Sequence, residues 1–397
     1  MGAGNSSPTE SSGQPTASAR LSTTGYFWGL FSLGMVVAAI GPSLPQLAAS
    51  TGASLGAAGI LFSAYRGGYM VGTLVGGSAL DRFRGNLLVS LAILVMAVVL
   101  AIVVLLPTLL ALVIAFAAIG VAAGFVEVGG NTMLVWIYRE RVGPWMNGLH
   151  FALGLGAMLS PFLIGQSLRI TGRLLPAFLI AAPLMIPGAV ALIAARSPVA
   201  PARKESDGHA RDIPMVLLVA LLLLFYMGAE ASFGGWIYAW SITVHGVTAA
   251  RAATLTSLFW ATLTAGRLLS IPLASRLPPR KILAGTTIGV TLSLALIASP
   301  AGLAAKAVVW IATAGAGLSM AAILPTTISF AGRHMRVTGS TSRWFFVSAG
   351  AGGMVIPWVM GQLMDGIGPK TVMPAILGVV ILMGAALVLL LARIRGR

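Results

Sequence analysis

Only nine of 397 residues are acidic, and two of them, Glu127 and Glu230, sit deep within long apolar runs. Arg66 and Arg267 lie in comparable runs, Arg343 lies near the end of another, and His150 is the one histidine in such surroundings. An ionisable side chain in hydrocarbon costs about 2.5 kcal/mol or more, and it is kept mostly where it handles an ion, a proton or a substrate. A carboxylate that faces an arginine in low dielectric stays ionised. Separating the two, by substrate or by a change of shape, favours uptake of a proton. Arg66 and Glu127 are therefore candidates for proton coupling, with Glu230 as a second acid. The competing reading is a static ion pair that fixes helix packing. Glu127-x-x-x-Asn131 adds an amide one turn away on the same helix face.

Other chemistries lack their residues. There is no Cys, no histidine pair at metal-ligand spacing, no phosphate-binding loop of the Walker type and no Ser-His-Asp set. No enzyme, no cofactor and no bound metal are expected. Without a nucleotide site, uphill movement of a solute must draw on an ion gradient.

The elements that would position these groups follow from composition. The chain is 57% apolar and 9% charged, with 49 glycines, a balance suited to lipid rather than water. Twelve apolar stretches can each cross a hydrocarbon core about 30 Å thick. They lie near 22–47, 56–80, 86–106, 109–137, 144–168, 174–195, 214–242, 249–274, 282–299, 303–330, 337–362 and 368–393. Spans of this length in lipid must be helices, so the fold class is all-α and integral to the membrane. Arg66 is 15 residues before Asp81, and Glu127 is 12 before Arg139. At about 1.5 Å per residue both lie roughly 20 Å from the same face, where they could meet. Glu230 counts as farther from that face, and Arg267 and His150 as nearer to it.

Residues 1–21, rich in Ser, Thr, Gly and Pro, read as a disordered tail. The polar stretch 196–213 reads as a linker between six-helix bundles at 22–195 and 214–397. With the amino terminus in the cytoplasm, 17 of the 25 Lys and Arg fall on that side and about five on the other, so both termini are expected to be cytoplasmic. A bacterial inner membrane is the default location. The net charge of +16 then reports topology and contact with anionic lipid, not nucleic acid.

"GLGAMLSPFLIGQSL" at 154–168 returns as "GAGGMVIPWVMGQLM" at 350–364 without a gap. The pairs Gly154/Gly350, Gly156/Gly352, Pro161/Pro357, Gly165/Gly361 and Gln166/Gln362 fall in the fifth and eleventh spans. A weaker echo pairs Gly72, ten residues before Arg82, with Gly266, ten before Arg276. The duplication implies two parallel six-helix repeats, with substrate bound near mid-membrane between them. Small residues there let helix backbones approach closely.

The loop "GGSALDRFRG" (76–85) resembles the loop motif of the major facilitator superfamily, although Arg84 and Gly85 stand in swapped order. The resemblance implies a latch between the halves at the cytoplasmic side, formed by Asp81, Arg82 and Arg84 with Arg276 as the repeat counterpart. Three stretches, "GFVEVGGNTMLVW", "FYMGAEASFGGWIYAW" and "AYRGGYMVG", resemble the fucose:proton symporter family. That likeness implies Glu127 as proton carrier, Asn131 as a substrate or switch contact, and interest in Tyr69. The first span carries no acid, which moves any second-acid role to Glu230.

Sugar recognition needs aromatic faces and a few hydrogen-bonding groups in an apolar cavity. Trp236 and Trp260 can supply the faces, and Asn131, Gln166, Gln362 and His150 the polar groups. The expected function is proton-coupled symport of a monosaccharide or similar polyol by alternating access, by a monomer. Sodium-coupled sugar uptake and proton-driven export of amphipathic, drug-like or lipid-like compounds are the alternatives.

Overall fold

The computed structural model describes residues 16–80, 82–198, 212–335 and 339–395. Twelve long helices run through it. They are α1 (Ala17–Ser50), α2 (Ile60–Leu80), α3 (Gly85–Ile102), α4 (Leu109–Tyr138), α5 (Gly143–Thr171) and α6 (Leu175–Ala194). The second six are α7 (Ile213–His245), α8 (Ala249–Arg276), α9 (Pro279–Ala298), α10 (Lys306–Met320, resumed as Ile323–His334), α11 (Gly339–Gly366) and α12 (Val372–Arg395). The helix of α1 starts inside the stretch read as tail, because the Thr16 side chain caps it by accepting from the amide of Ala19 at 3.2 Å. Residues 1–15 and most of the 196–213 linker lie outside the described residues. The span read as continuous over 303–330 is instead broken at Ala321 and Ala322. Pro325 has no amide hydrogen for the carbonyl four residues earlier, so the helix restarts there.

Among the described residues, ten helices are long and apolar enough to cross a membrane. The two that fall short in apolarity, α2 and α8, carry Arg66 and Arg267. Both pack across the middle of the molecule, α2 on α11 and α8 on α5, and Arg66 and Arg267 are half-buried there.

Backbone contact at glycine sorts these helices. Gly156 on α5 lies against the backbone of Phe31 and Met35 on α1, and its repeat partner Gly352 on α11 lies against Leu224 on α7. Gly154 and Gly165 on α5 meet Thr264 and Ala253 on α8. Their partners Gly350 and Gly361 meet Met70 on α2 and, beside α2, Gly56. Each copy of the repeated stretch thus uses one glycine to seat on the first helix of its own half and two to meet the other half. The weaker echo behaves the same way. Gly72 packs on Val121 of α4, and Gly266 packs on Leu318 and Ala321 of α10.

The seam between the halves is closed on the face opposite the chain ends. There the amide of Gly56, in a short turn of helix at Leu55–Ala58, donates to Asp365 Oδ2 at 2.9 Å. The Gly56 carbonyl accepts from Gln362 Nε2 at 3.1 Å, and Ser63 Oγ donates to the Met354 carbonyl at 2.8 Å. Trp236 fills the space beneath, against Gly59, Gly361 and the ring of Phe62. On the face that carries the chain ends, Arg82, Arg84 and Arg276 are exposed.

Removing the Asp365 carboxylate deletes one bond of the latch. With cysteines introduced at Ala53 and Ile367 in this cysteine-free chain and spin-labelled, the wild-type background should give one short distance. Asp365→Ala should add a longer population, with the open-to-closed ratio raised roughly fivefold for a bond of about 1 kcal/mol.

Candidate functional site

Two helices locked backbone to backbone create the first part of the site. Gly68 and Gly72 on α2 lie against the backbone of Ala117 and Val121, while Gly120 and Gly124 on α4 lie against Tyr65 and Tyr69. With no side chain between them the register is set, and it brings Tyr69 within interaction range of Glu127. Asn131 follows one turn later on α4, where its Nδ2 donates to the Glu127 carbonyl at 2.8 Å. That bond leaves the amide oxygen of Asn131 for another donor.

Arg66 takes an unexpected direction. Its guanidinium carbon lies 5.9 Å from the Tyr65 ring centroid and 5.6 Å from that of Tyr69, within cation–π range. One nitrogen, Nη2, reaches across the seam to Met227 Sδ on α7 at 3.6 Å. Gly353 on α11 makes room, since a methyl group there would stand 3.2 Å from Arg66 Nε. Arg66 and Glu127 therefore act on the same two tyrosines without pairing directly. The ion pair found among the described residues is Arg393–Asp212 at 3.0 Å, near the chain ends.

The second half contributes a matching set of types. The Tyr226 hydroxyl donates to Glu230 Oε2, one turn along α7, and both residues are buried. Arg267 on α8 interacts with Tyr226. The depth difference counted between Glu230 and Arg267 is thus spanned by a tyrosine. His150 on α5 lies within electrostatic range of both Glu127 and Arg267, and so links the halves. Two acids and two arginines thus stand in this region, each acid reached through a tyrosine rather than an arginine.

The remaining expected residues are more scattered. Trp236 is fully buried and its Nε1 donates to the Pro357 carbonyl at 2.8 Å, so it packs the closed seam and has no free donor for a ligand. Gln362 belongs to the latch on the face opposite the chain ends. Gln166 is half-buried, next to the contact of Gly165 with α8. Trp260 is buried on α8 with its indole nitrogen unpartnered. Asp81 lies outside the described residues. Sequence reasoning passed over Tyr65, Tyr226 and Met227. Tyr226 had a usable signal, its i, i+4 spacing to a buried acid, whereas Met227 had none.

Comparison with known proteins is consistent with this architecture. The family model described as Major Facilitator Superfamily matches residues 26–357. Sodium-dependent glucose transporter 1 of Homo sapiens is 27% identical over 371 residues, covering 83% of this chain and 71% of its own. Major facilitator superfamily domain-containing protein 4A of Xenopus tropicalis is 25% identical over 435 residues, covering 87% and 86%. Among solved structures, the nucleoside transporter NupG superposes with a TM-score of 0.74 at 13% identity, over 93% of this chain and 99% of that one. A bacterial homologue of the human lysosomal transporter Spinster, inward-facing and occupied, superposes with a TM-score of 0.72 at 14% identity, over 95% and 96%.

The α2–α4 lock can be tested directly. A side chain at Gly124 would meet the Tyr69 carbonyl and the Thr73 amide, both backbone. Gly124→Val should destabilise the folded protein by about 1–3 kcal/mol, read as a lower midpoint of thermal unfolding in detergent. Gly77→Ala, on the same helix α2 with open space around it, should leave the midpoint within error.

Proposed function

The chain belongs to the Major Facilitator Superfamily, and on that premise we propose that it carries a monosaccharide or similar small polyol across the membrane, coupled to a proton at Glu127. It is a multi-pass membrane protein whose relatives include sodium-dependent glucose transporters of human and mouse, each 27% identical to it. Those names support a sugar as the substrate class.

The observation that carries the coupling role is the setting of Glu127. It stands at the seam between the halves, in range of Tyr65, Tyr69 and His150, and Asn131 turns an amide oxygen free beside it. Phenols, an imidazole and an amide hydrogen-bond both to a carboxyl group and to the hydroxyls of a sugar. Arg66 spans the seam to Met227 while the face opposite the chain ends is closed. Opening that face withdraws α7 from Arg66, so the charge felt by Glu127 depends on which face is open. Occupancy by sugar beside Asn131 and Tyr69, and protonation of Glu127, then favour the same rearrangement. Glu230, held by Tyr226, is the second acid of this scheme.

The Lys and Arg bias supports cytoplasmic chain ends, and on that reading the conformation is closed to the outside. The units are the two six-helix bundles at 22–195 and 214–397, joined by the 196–213 linker. All the groups invoked belong to one chain, and a monomer suffices. Sodium in place of the proton is the second reading, favoured by the names of the relatives.

Uptake of a labelled sugar panel into proteoliposomes, under a proton gradient, a sodium gradient or neither, tests this. Wild type should concentrate one sugar class under the proton gradient. Glu127→Gln should lose gradient-driven accumulation while sugar exchange persists. Accumulation driven by sodium alone selects the second reading, and accumulation of no sugar overturns both.

A further inference from the structure

Two polar side chains on α8 are buried where nothing answers them. Ser257 is 8% exposed and Trp260 is 6% exposed, yet neither Ser257 Oγ nor Trp260 Nε1 has a hydrogen-bond partner. The serine is an exception on its own helix. Thr254, Thr256, Thr262 and Thr264 each return their hydroxyl to the carbonyl four residues earlier, and Ser270 and Ser275 bond the carbonyl three residues earlier. A buried hydroxyl or indole N–H without a partner is costly, so its retention calls for an explanation.

Their direction is given by their neighbours. Positions 253, 257, 260 and 264 form one stripe of a helix. At its two ends Ala253 meets Gly165 and Thr264 meets Gly154, both on α5 of the other half. Ser257 therefore lies between these contacts on the side of α5, while the Trp260 ring, one turn on, also reaches Gly234 of α7. The antiparallel register sets Pro161 and Met158 across from them. Buried polar atoms without partners occur elsewhere too, on Tyr65 of α2, on Ser232, Trp240 and His245 of α7 and on Thr313 and Thr327 of α10, but α8 is where two of them stand one turn apart on a stripe that meets the other half.

We propose that Ser257 and Trp260 form a hydroxyl-binding subsite for the transported sugar, on the α5–α8 seam. Trp260 Nε1–H donates and Ser257 Oγ donates or accepts, which matches a neutral hydroxyl that itself gives and takes hydrogen bonds. Both groups are neutral, which suits a neutral hydroxyl, and Arg267 continues the stripe one turn beyond Thr264. Parting of α5 from α8 exposes the subsite, and closure over a bound sugar satisfies it. After release the two groups are left as seen here, and the unpartnered pair favours reopening of the seam. This assignment rests on the sugar reading above and specifies which residues of the second half discriminate among sugars.

The test is binding of the preferred monosaccharide and its single-position deoxy analogues by purified protein, by competition against labelled sugar. Ser257→Ala and Trp260→Phe should each weaken the parent sugar about fivefold. Both should leave the affinity of one and the same deoxy analogue unchanged, and Ser257→Thr should restore the wild-type pattern. A merely structural role lowers all analogues alike, and that result, or no loss at all, overturns the subsite while leaving the sugar reading standing. If wild type binds no monosaccharide, the sugar reading falls and the subsite falls with it.

Discussion

Hydrocarbon offers no partner to a charge or to a free hydrogen-bonding group, and the whole arrangement follows from that constraint. It turns every span into a helix and drives the two least apolar helices, α2 and α8, to the seam between halves. It also explains why the acids are satisfied by tyrosine. A direct ion pair would fix the arginine on its acid within one half, whereas a phenol can keep its carboxylate while the arginine beyond it moves. Arg66, laid over Tyr65 and Tyr69 with its tip on Met227, shows such a division between a contact within its half and one across the seam.

Glycine supplies the precision that this needs. Because the α2–α4 contact is backbone on backbone, the position of Tyr69 relative to Glu127 depends on no rotamer. Across the seam glycine has a different use. Gly154 and Gly165 on α5, and Gly350 and Gly361 on α11, present smooth surfaces to the other half, and such surfaces can separate and re-form. The latch of Asp365 and Gln362 on Gly56 adds a small, reversible bias to that surface.

Much of this was legible in the residues. Apolar runs and the doubled "GLGAMLSPFLIGQSL" stretch carried the twelve helices and the two repeats, because span length and backbone approach are dictated by local composition. Helix spacing also put Asn131 beside Glu127 correctly, since i, i+4 geometry is local. The pairing of Arg66 with Glu127 could not be read by counting depth, because an arginine's direction depends on what faces it, here two tyrosine rings and a methionine from another half. Trp236 and Gln362 looked like ligand groups by type, but their surroundings, the Pro357 carbonyl and Gly56, are more than a hundred residues away. The break in α10 was signalled by Pro325 and hidden by the apolarity of the run around it.

The central claim is that sugar binding and protonation are linked at Glu127, and it can be measured without transport. In weakly buffered solution near neutral pH, with a pH indicator, addition of sugar to the purified protein should draw about one proton per bound sugar from solution. Glu127→Gln should bind the sugar and draw none. Equal proton uptake by both proteins, or sugar binding by wild type with no proton movement at any pH, would contradict the account.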